Sequence, residues 1–393
     1  MRYVSIVMLN VFIKYSTMKS VILTVCLAVL VACAPKSTEP DVTLFDVDAF
    51  TSEVEGKPIS LYTLKAGDLV MQVTNFGGRV VSLWTPDKAG KYEDIVLGYN
   101  NIESYINNSG ERFLGAVVGP CANRIAGASY TIGDETYHFP KNDKENTLHG
   151  GMKGLDMLVW DVDSVSNNQI VLSVFCPDGY EGMPGNRKIV MTYTLTPDNE
   201  FKIDYIAETD KATHVNISHH SFFNLKGEGN GTINDHVMCI NASRTTPITA
   251  AFVPTGEIVE VAGTPFDFRE PKAIGTDLYV ENEQLTNGVG YDHNWILDRK
   301  SNSDMELAAT VWEPVTGRFM EVWSDQPALQ FYGGNFFDGT TCGKYGKALN
   351  FRESIVLETQ KYPDTPHHAH FPSTLLNPGE KYTHSCIYKF GVK

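Results

Sequence analysis

This sequence predicts an all-β protein, an antiparallel sandwich or barrel built as one large domain, on three observations. From about Leu44 to the end there is no long run of the 3.6-residue apolar period that marks amphipathic helices. Short alternating apolar runs recur instead, bounded by turn residues. The 33 glycines and 19 prolines are spread through the intervening loops, with no linker-like cluster among them. At 393 residues, 42% hydrophobic and 20% charged, the chain has the composition of a globular protein with a large core. No internal repeat or domain boundary interrupts it.

The elements begin with an address. Lys19 is followed by an apolar run, residues 20–32, that ends at Cys33. The run is shorter than the roughly 20 residues a spanning helix needs. It fits the apolar region of a secretory signal. Leu30-Val31-Ala32-Cys33 resembles a bacterial lipobox, which would make Cys33 the lipidated first residue of the mature protein. An ordinary signal peptide with an incidental cysteine is the alternative. Lys14 interrupts the apolar stretch before it, and Met18-Lys19 is the more ordinary signal start. The segment after Cys33, A-P-K-S-T-E-P-D, is a polar tether. The expected layout is therefore a signal over residues 1–32, a tether over 33–43 and one large β domain over 44–393. It places the protein at a bacterial cell envelope, lipid-anchored on the periplasmic side or the outer membrane.

Within the body, Asp68–Trp84 reads as two strands around a glycine pair. Ile189–Leu195 and Phe201–Ala207 flank T-P-D-N-E, a hairpin signal. Arg318–Trp323 and Ser354–Leu357 are further strands. The net charge is −15, and because residues 1–32 hold three basic and no acidic residues, the chain from Cys33 onward carries −18. Such a surface excludes nucleic acid, and membrane contact other than through the anchor, since both need basic patches. A neutral small molecule remains open. Seven cysteines without a C-x-x-C pair make neither a disulfide framework nor a zinc site. Aromatic residues make up 11% of the chain; flat rings suit the C–H faces of pyranoses and equally fill a β core.

The chemistry-bearing residues fall in five clusters. C-A-N-R-I-A-G at Cys121–Gly127 presents Asn123 and Arg124, the latter a rigid fork of donors for hydroxyls or a carboxylate. N-T-L-H-G-G at Asn146–Gly151 puts His149 before two glycines that let backbone approach a ligand, although a loop histidine bonded to nearby backbone reads the same way. V-N-I-S-H-H-S-F-F-N-L at Val215–Leu225 holds His219 and His220, which point to opposite faces of a strand. Only one of them serves a given site, and a histidine exchanges protons near neutrality. Asp292 in G-Y-D-H-N-W-I-L can accept from two hydroxyls, or sit in a turn. Gln330 and Asn335 in L-Q-F-Y-G-G-N-F offer amides, and Glu358 in V-L-E-T-Q-K-Y-P-D ends an apolar run, where burial would raise its pKa. There is no P-loop, G-x-S-x-G or H-E-x-x-H, and the His367–His370 string lies in a proline-rich loop without an evident carboxylate.

Taken together these motifs resemble the aldose 1-epimerase family, the galactose mutarotases. The resemblance runs from about Leu44 to Lys393 and includes N-F-G-G-R-V-V-S-L, D-I-V-L-G-Y, P-D-G-Y-E-G-M-P-G, G-T-P-F-D-F-R and the closing P-S-T-L-L-N-P-G-E-K-Y, in family order. It implies a large antiparallel β-sandwich with a sugar cleft on one sheet. It implies His220 as general acid, Glu358 as general base and His149 as an assistant at the reacting end. Arg124, Asp292 and Gln330, with Asn123 beside them, would hold the hydroxyls. His219 departs from the family, where Asn is expected before the acid. No metal and no cofactor is implied, the partner is a free aldose, and a monomer is the expected state. Two other readings stay open: a glycosidase using Glu358 and Asp292 as paired carboxylates, and a non-catalytic sugar-binding lipoprotein.

Overall fold

Alternating burial along the longest strands shows how the sandwich is layered. The computed structural model describes residues 40–393; Cys33, the tether start and the signal-like segment lie outside the described residues. Val42–Lys393 forms one compact unit. Its largest sheet has nine strands, all antiparallel. In spatial order they are Asp161–Val165, Gln169–Cys176, Arg187–Leu195, Glu200–Thr209, Tyr382–Val392, Arg318–Ser324, Glu306–Trp312, Val237–Ile240 and Lys272–Ala273. In the hairpin Arg187–Leu195/Glu200–Thr209 every second residue is buried, so Ile189, Met191, Tyr193, Phe201, Ile203 and Tyr205 face inward. That is the period of a sheet with one covered and one wet face.

Several of the strands that cover the inner face are buried along their whole length because they are covered on both sides. One inner sheet has four strands, Leu61–Ala66, Leu69–Thr74, Arg79–Pro86 and Tyr92–Asp94. The other has five, in the order Val259–Glu260, Ala242–Thr246, Asp292–Leu297, Ala328–Tyr332 and Val356–Gln360. Leu69–Thr74, Asp292–Leu297, Ala328–Tyr332 and Val356–Gln360 are buried at every position. Trp295, Leu329, Phe331 and Leu357 join the core cluster shared with the nine-stranded sheet. Because strand side chains alternate, their neighbours Asp292, Gln330, Tyr332 and Glu358 must all point the other way. The layering decides for the sandwich over the barrel. It also sends Asp292, Gln330 and Glu358, one from each of three strands, to one face.

The expected strands are present. The glycine pair Gly77-Gly78 has φ of +68° and +55° between Leu69–Thr74 and Arg79–Pro86, and a Cβ on Gly77 would meet the Asp156 carbonyl oxygen at 2.3 Å. Among the described residues only two α-helices occur, Ile102–Ile106 and Glu283–Asn287, each of five residues and capped by an asparagine. No helix of the described residues is long and apolar enough to cross a membrane. The five described cysteines are free, with Cys121, Cys176 and Cys386 buried.

Candidate active site

On the polar face of the five-stranded sheet lies a cavity of about 320 Å³. That is near the lower end of the roughly 300–1,000 Å³ usual for small-molecule sites and leaves room for a sugar ring. Asn123, Arg124, His149, His220, Asp292 and Glu358 all line it. Their segments are brought together by register. Gln330 pairs with both Asn294 and Glu358, which sets Asp292 and Glu358 on adjacent rows of one face. The short strand Ser218–His220 pairs with Ala116–Val118, and the Ser218 hydroxyl donates to the Thr359 carbonyl at 2.9 Å, docking His220 beside Glu358. Arg124 pairs with Leu148 in a two-residue ladder, so His149 follows directly at the cavity wall.

The central pair is His220 and Glu358. His220 Nε2 lies 3.8 Å from Glu358 Oε1, and both side chains are almost wholly buried. That separation is too long for a hydrogen bond between them. It suits two groups that act on neighbouring oxygens of one ligand. His220 Nδ1 and Glu358 Oε2 have no hydrogen-bond partner among the described residues. Burial pushes the Glu358 carboxyl well above its usual range, with the nearby Asp292 adding to it and Arg124 opposing. Burial drives His220 the other way, down to about 3. Asp292 is raised as well, again by burial, against the pull of Arg124.

His149 is held in one tautomer. Its Nδ1 accepts the main-chain N–H of Asn123 at 3.1 Å, so its proton sits on Nε2. Burial holds its pKa well below the usual value, and the ring stays neutral. Its main chain has φ +50°, fixed by its own N–H donating to the Asn123 carbonyl at 3.0 Å. Gly150 follows with φ +88°, and a Cβ there would meet the Gly119 carbonyl oxygen at 2.0 Å. The H-G-G spacing is thus required by close backbone packing. The backbone-bonded loop histidine and the site histidine prove to be one residue.

Other expected residues take more particular places. Arg124 Nε donates to Asp143 Oδ2 at 2.6 Å and its guanidinium lies 4.7 Å over the Phe252 ring, leaving the rest of its fork for ligand. Gln330 does not line the cavity; its Nε2 donates to Asp292 Oδ1 at 2.8 Å and orients that carboxylate. Asn335 is spent on the Gly288 and Tyr291 carbonyls. His219 points into the core, where Nδ1 meets the Tyr193 hydroxyl at 3.1 Å and Nε2 the Ser221 hydroxyl at 2.6 Å. The His367–His370 string has a carboxylate after all, because Asp364 Oδ1 lies 2.6 Å from His367 Nδ1. That carboxylate also accepts the Ala126 main-chain N–H, so it braces the Arg124 segment.

Several lining residues lie outside every motif of the sequence: Glu111, Phe113, Lys144 and Phe252. Phe113 packs edge-on against His149 at 4.7 Å between ring centres and lies 5.8 Å from His220, covering part of both rings. Among the described residues one group could hold a metal ion: the ligating atoms of His149, His220 and Glu358 lie within 4.8 Å of one another. The same triangle has the spacing of a proton-transfer pair with a neutral donor beside it.

The comparisons with known proteins agree with this geometry. A family model for aldose 1-epimerase matches residues 60–389. The chain is 39% identical to galactose mutarotase of Mus musculus over 337 residues, covering 86% of this chain and 95% of that protein. It is 34% identical to aldose 1-epimerase of Escherichia coli (strain K12) over 340 residues, or 86% and 96% of the two chains. Among solved structures, galactose 1-epimerase from Lactobacillus acidophilus NCFM superimposes with a TM-score of 0.75 at 30% identity, covering 87% and 97%. An aldose epimerase homologue from C. elegans gives 0.78 at 26%, covering 85% and 99%. With a matching family model along most of its length, and a cavity that gathers Arg124, His149, His220, Asp292 and Glu358, this chain belongs to the aldose 1-epimerase family.

Proposed function

We propose that this protein interconverts the α and β anomers of free aldoses, with Glu358 as general base, His220 as general acid and His149 as a neutral hydrogen-bond donor beside them. The observation that carries the reading is the buried His220–Glu358 pair, 3.8 Å apart at a sugar-sized cavity. The reaction needs that spacing. The anomeric hydroxyl oxygen O1 and the ring oxygen O5 are both bonded to C1, so the group that takes a proton from one must stand next to the group that gives one to the other. Glu358 removes the O1 proton, the C1–O5 bond breaks as O1 becomes a carbonyl oxygen, and O5 takes a proton from His220. Rotation about C1–C2 exposes the other face of the carbonyl. Reclosure returns the proton from Glu358 to O1 and the O5 proton to His220.

Each acid–base contribution is typically about 10²–10⁴ in rate, and mutarotation already proceeds slowly in water, so this machinery is sufficient. Arg124 and Asp292 hold the ring hydroxyls while the ring opens, and Gln330 acts through Asp292. Polarimetry on freshly dissolved α-glucose or α-galactose tests the assignment. Glu358→Gln and His220→Ala each lose most of the catalysed rate. A near-normal rate in either variant would falsify the role of the residue replaced.

We further propose that Cys33 carries lipid and holds the enzyme at the cell envelope, where it acts on sugars arriving from outside. The support is the apolar run ending at Leu30-Val31-Ala32-Cys33 and the polar tether behind it. Mass spectrometry of the mature N-terminus decides it. An acylated Cys33 is expected; a peptide containing unmodified Lys14 or Arg2 overturns it.

A further inference from the structure

Glu111 lines the cavity, yet the acid–base step makes no use of it. Its position follows from the chemistry of the ring. If His220 serves O5 and Glu358 serves O1, the carbon on the far side of O5 is C5, which carries the hydroxymethyl group of a hexopyranose. That group therefore extends from the histidine's side of the site, away from Glu358. The wall on that side is Phe222, 4.9 Å from His220 between ring centres, and Phe113 at 5.8 Å. Glu111 stands two residues before Phe113, and its Oε1 accepts the Phe113 main-chain N–H at 2.9 Å. It also stands near Tyr332, which packs against Phe222.

The second carboxylate oxygen of Glu111 has no side-chain partner among the described residues. The nearby cations are committed elsewhere. Arg112 grips Asp156 through two bonds of 2.7 and 2.9 Å. Arg79 is spent on the carbonyls of Arg112, Leu114 and Asp156. Its loop engages the carboxylate through the main-chain N–H groups of Phe113 and Arg112, and the lone pairs left over face whatever enters the cavity.

We propose that Glu111 is a specificity-determining residue that accepts a hydrogen bond from the C6 hydroxyl, making a hexose a better substrate than its 6-deoxy counterpart. The proposal rests on the acid–base assignment above, because that assignment orients the ring. A site built to bond a hydroxyl discriminates against an analogue lacking it, since the carboxylate is then left desolvated and unpaired.

The test compares kcat/KM for D-galactose and 6-deoxy-D-galactose by polarimetry. The wild-type enzyme prefers D-galactose by about 10-fold or more. In Glu111→Ala the ratio falls to near one, chiefly through a higher KM for D-galactose. Glu111→Gln keeps an acceptor for the Phe113 N–H and gives an intermediate ratio, which covers the case in which Glu111→Ala does not fold. A wild-type ratio near one, or equal losses on both sugars in both variants, overturns the proposal and leaves Glu111 as a loop cap. Failure of the underlying reading shows separately, as a Glu358→Gln enzyme active on both sugars.

Discussion

At the scale of residues, burial places the proton of the acid–base pair on the unexpected partner. It favours the neutral forms of both members, so a single proton shared by the pair is held by Glu358 in preference to His220. The working state needs the proton on the histidine. Glu358 protonated and His220 neutral is the state of the open-chain intermediate, so this arrangement resembles the midpoint of the reaction. One shared proton between the two groups serves catalysis in either location, provided exchange is fast. Activity is lost on the acid side only when both groups are protonated, which happens as pH falls through the lower of the two values, that of His220 at about 3. It is lost on the alkaline side when both are deprotonated, as pH rises through the raised value of Glu358. The expected kcat/KM therefore holds steady from pH 6.5 down to about pH 5 and declines only below that. A polarimetric profile showing a decline centred near pH 6.5 on the acid side contradicts this order. His149, Glu358 and His220 were legible from residue type and motif, whereas these inverted proton affinities come from burial, which a sequence does not display.

At the scale of elements, short strands are locked by side chains from far along the chain. The clearest case lies outside the site. Lys344 is fully buried and donates to Asp94 Oδ2 at 2.6 Å, to the Val81 carbonyl at 2.7 Å and to the Val96 carbonyl at 2.8 Å. Glu228 Oε2 lies 3.2 Å away, and the Tyr345 hydroxyl also donates to Asp94. This cluster ties the loop after the five-stranded sheet's Ala328–Tyr332 to the last two strands of the four-stranded sheet. Lys344→Met strands a buried carboxylate, and the expected loss is about 3–5 kcal/mol in denaturant unfolding. A loss below about 1 kcal/mol sinks the structural role of the lysine. Burial raises Glu228 to about 7, so the folded state holds that proton more tightly than the unfolded chain. Its contribution to stability accordingly falls as pH rises from 4.5 to about 7. Nothing in G-K-Y-G marks Lys344 as buried; it reads as a surface turn. The alternating runs at Ile189–Leu195 and Phe201–Ala207, by contrast, announce their strands because one face is wet.

At the scale of the whole molecule, every residue with a role in the sugar cavity belongs to the compact unit Val42–Lys393. A chain beginning at Val42 should fold and keep the kcat/KM of the full protein on glucose. A truncated chain that folds but has lost most activity contradicts that independence. The fold class, the strand positions and the motif set were determined by the sequence alone, because a period of two, turn residues and residue chemistry are local properties. What His219 bonds in the core, why Gln330 serves Asp292 rather than the cavity, and where Glu111 stands were decided only by tertiary structure. The reason is register: Asp292, Gln330 and Glu358 share a face through pairings between strands tens of residues apart, and shifting any one strand by a single residue would have turned its carboxylate or amide into the core.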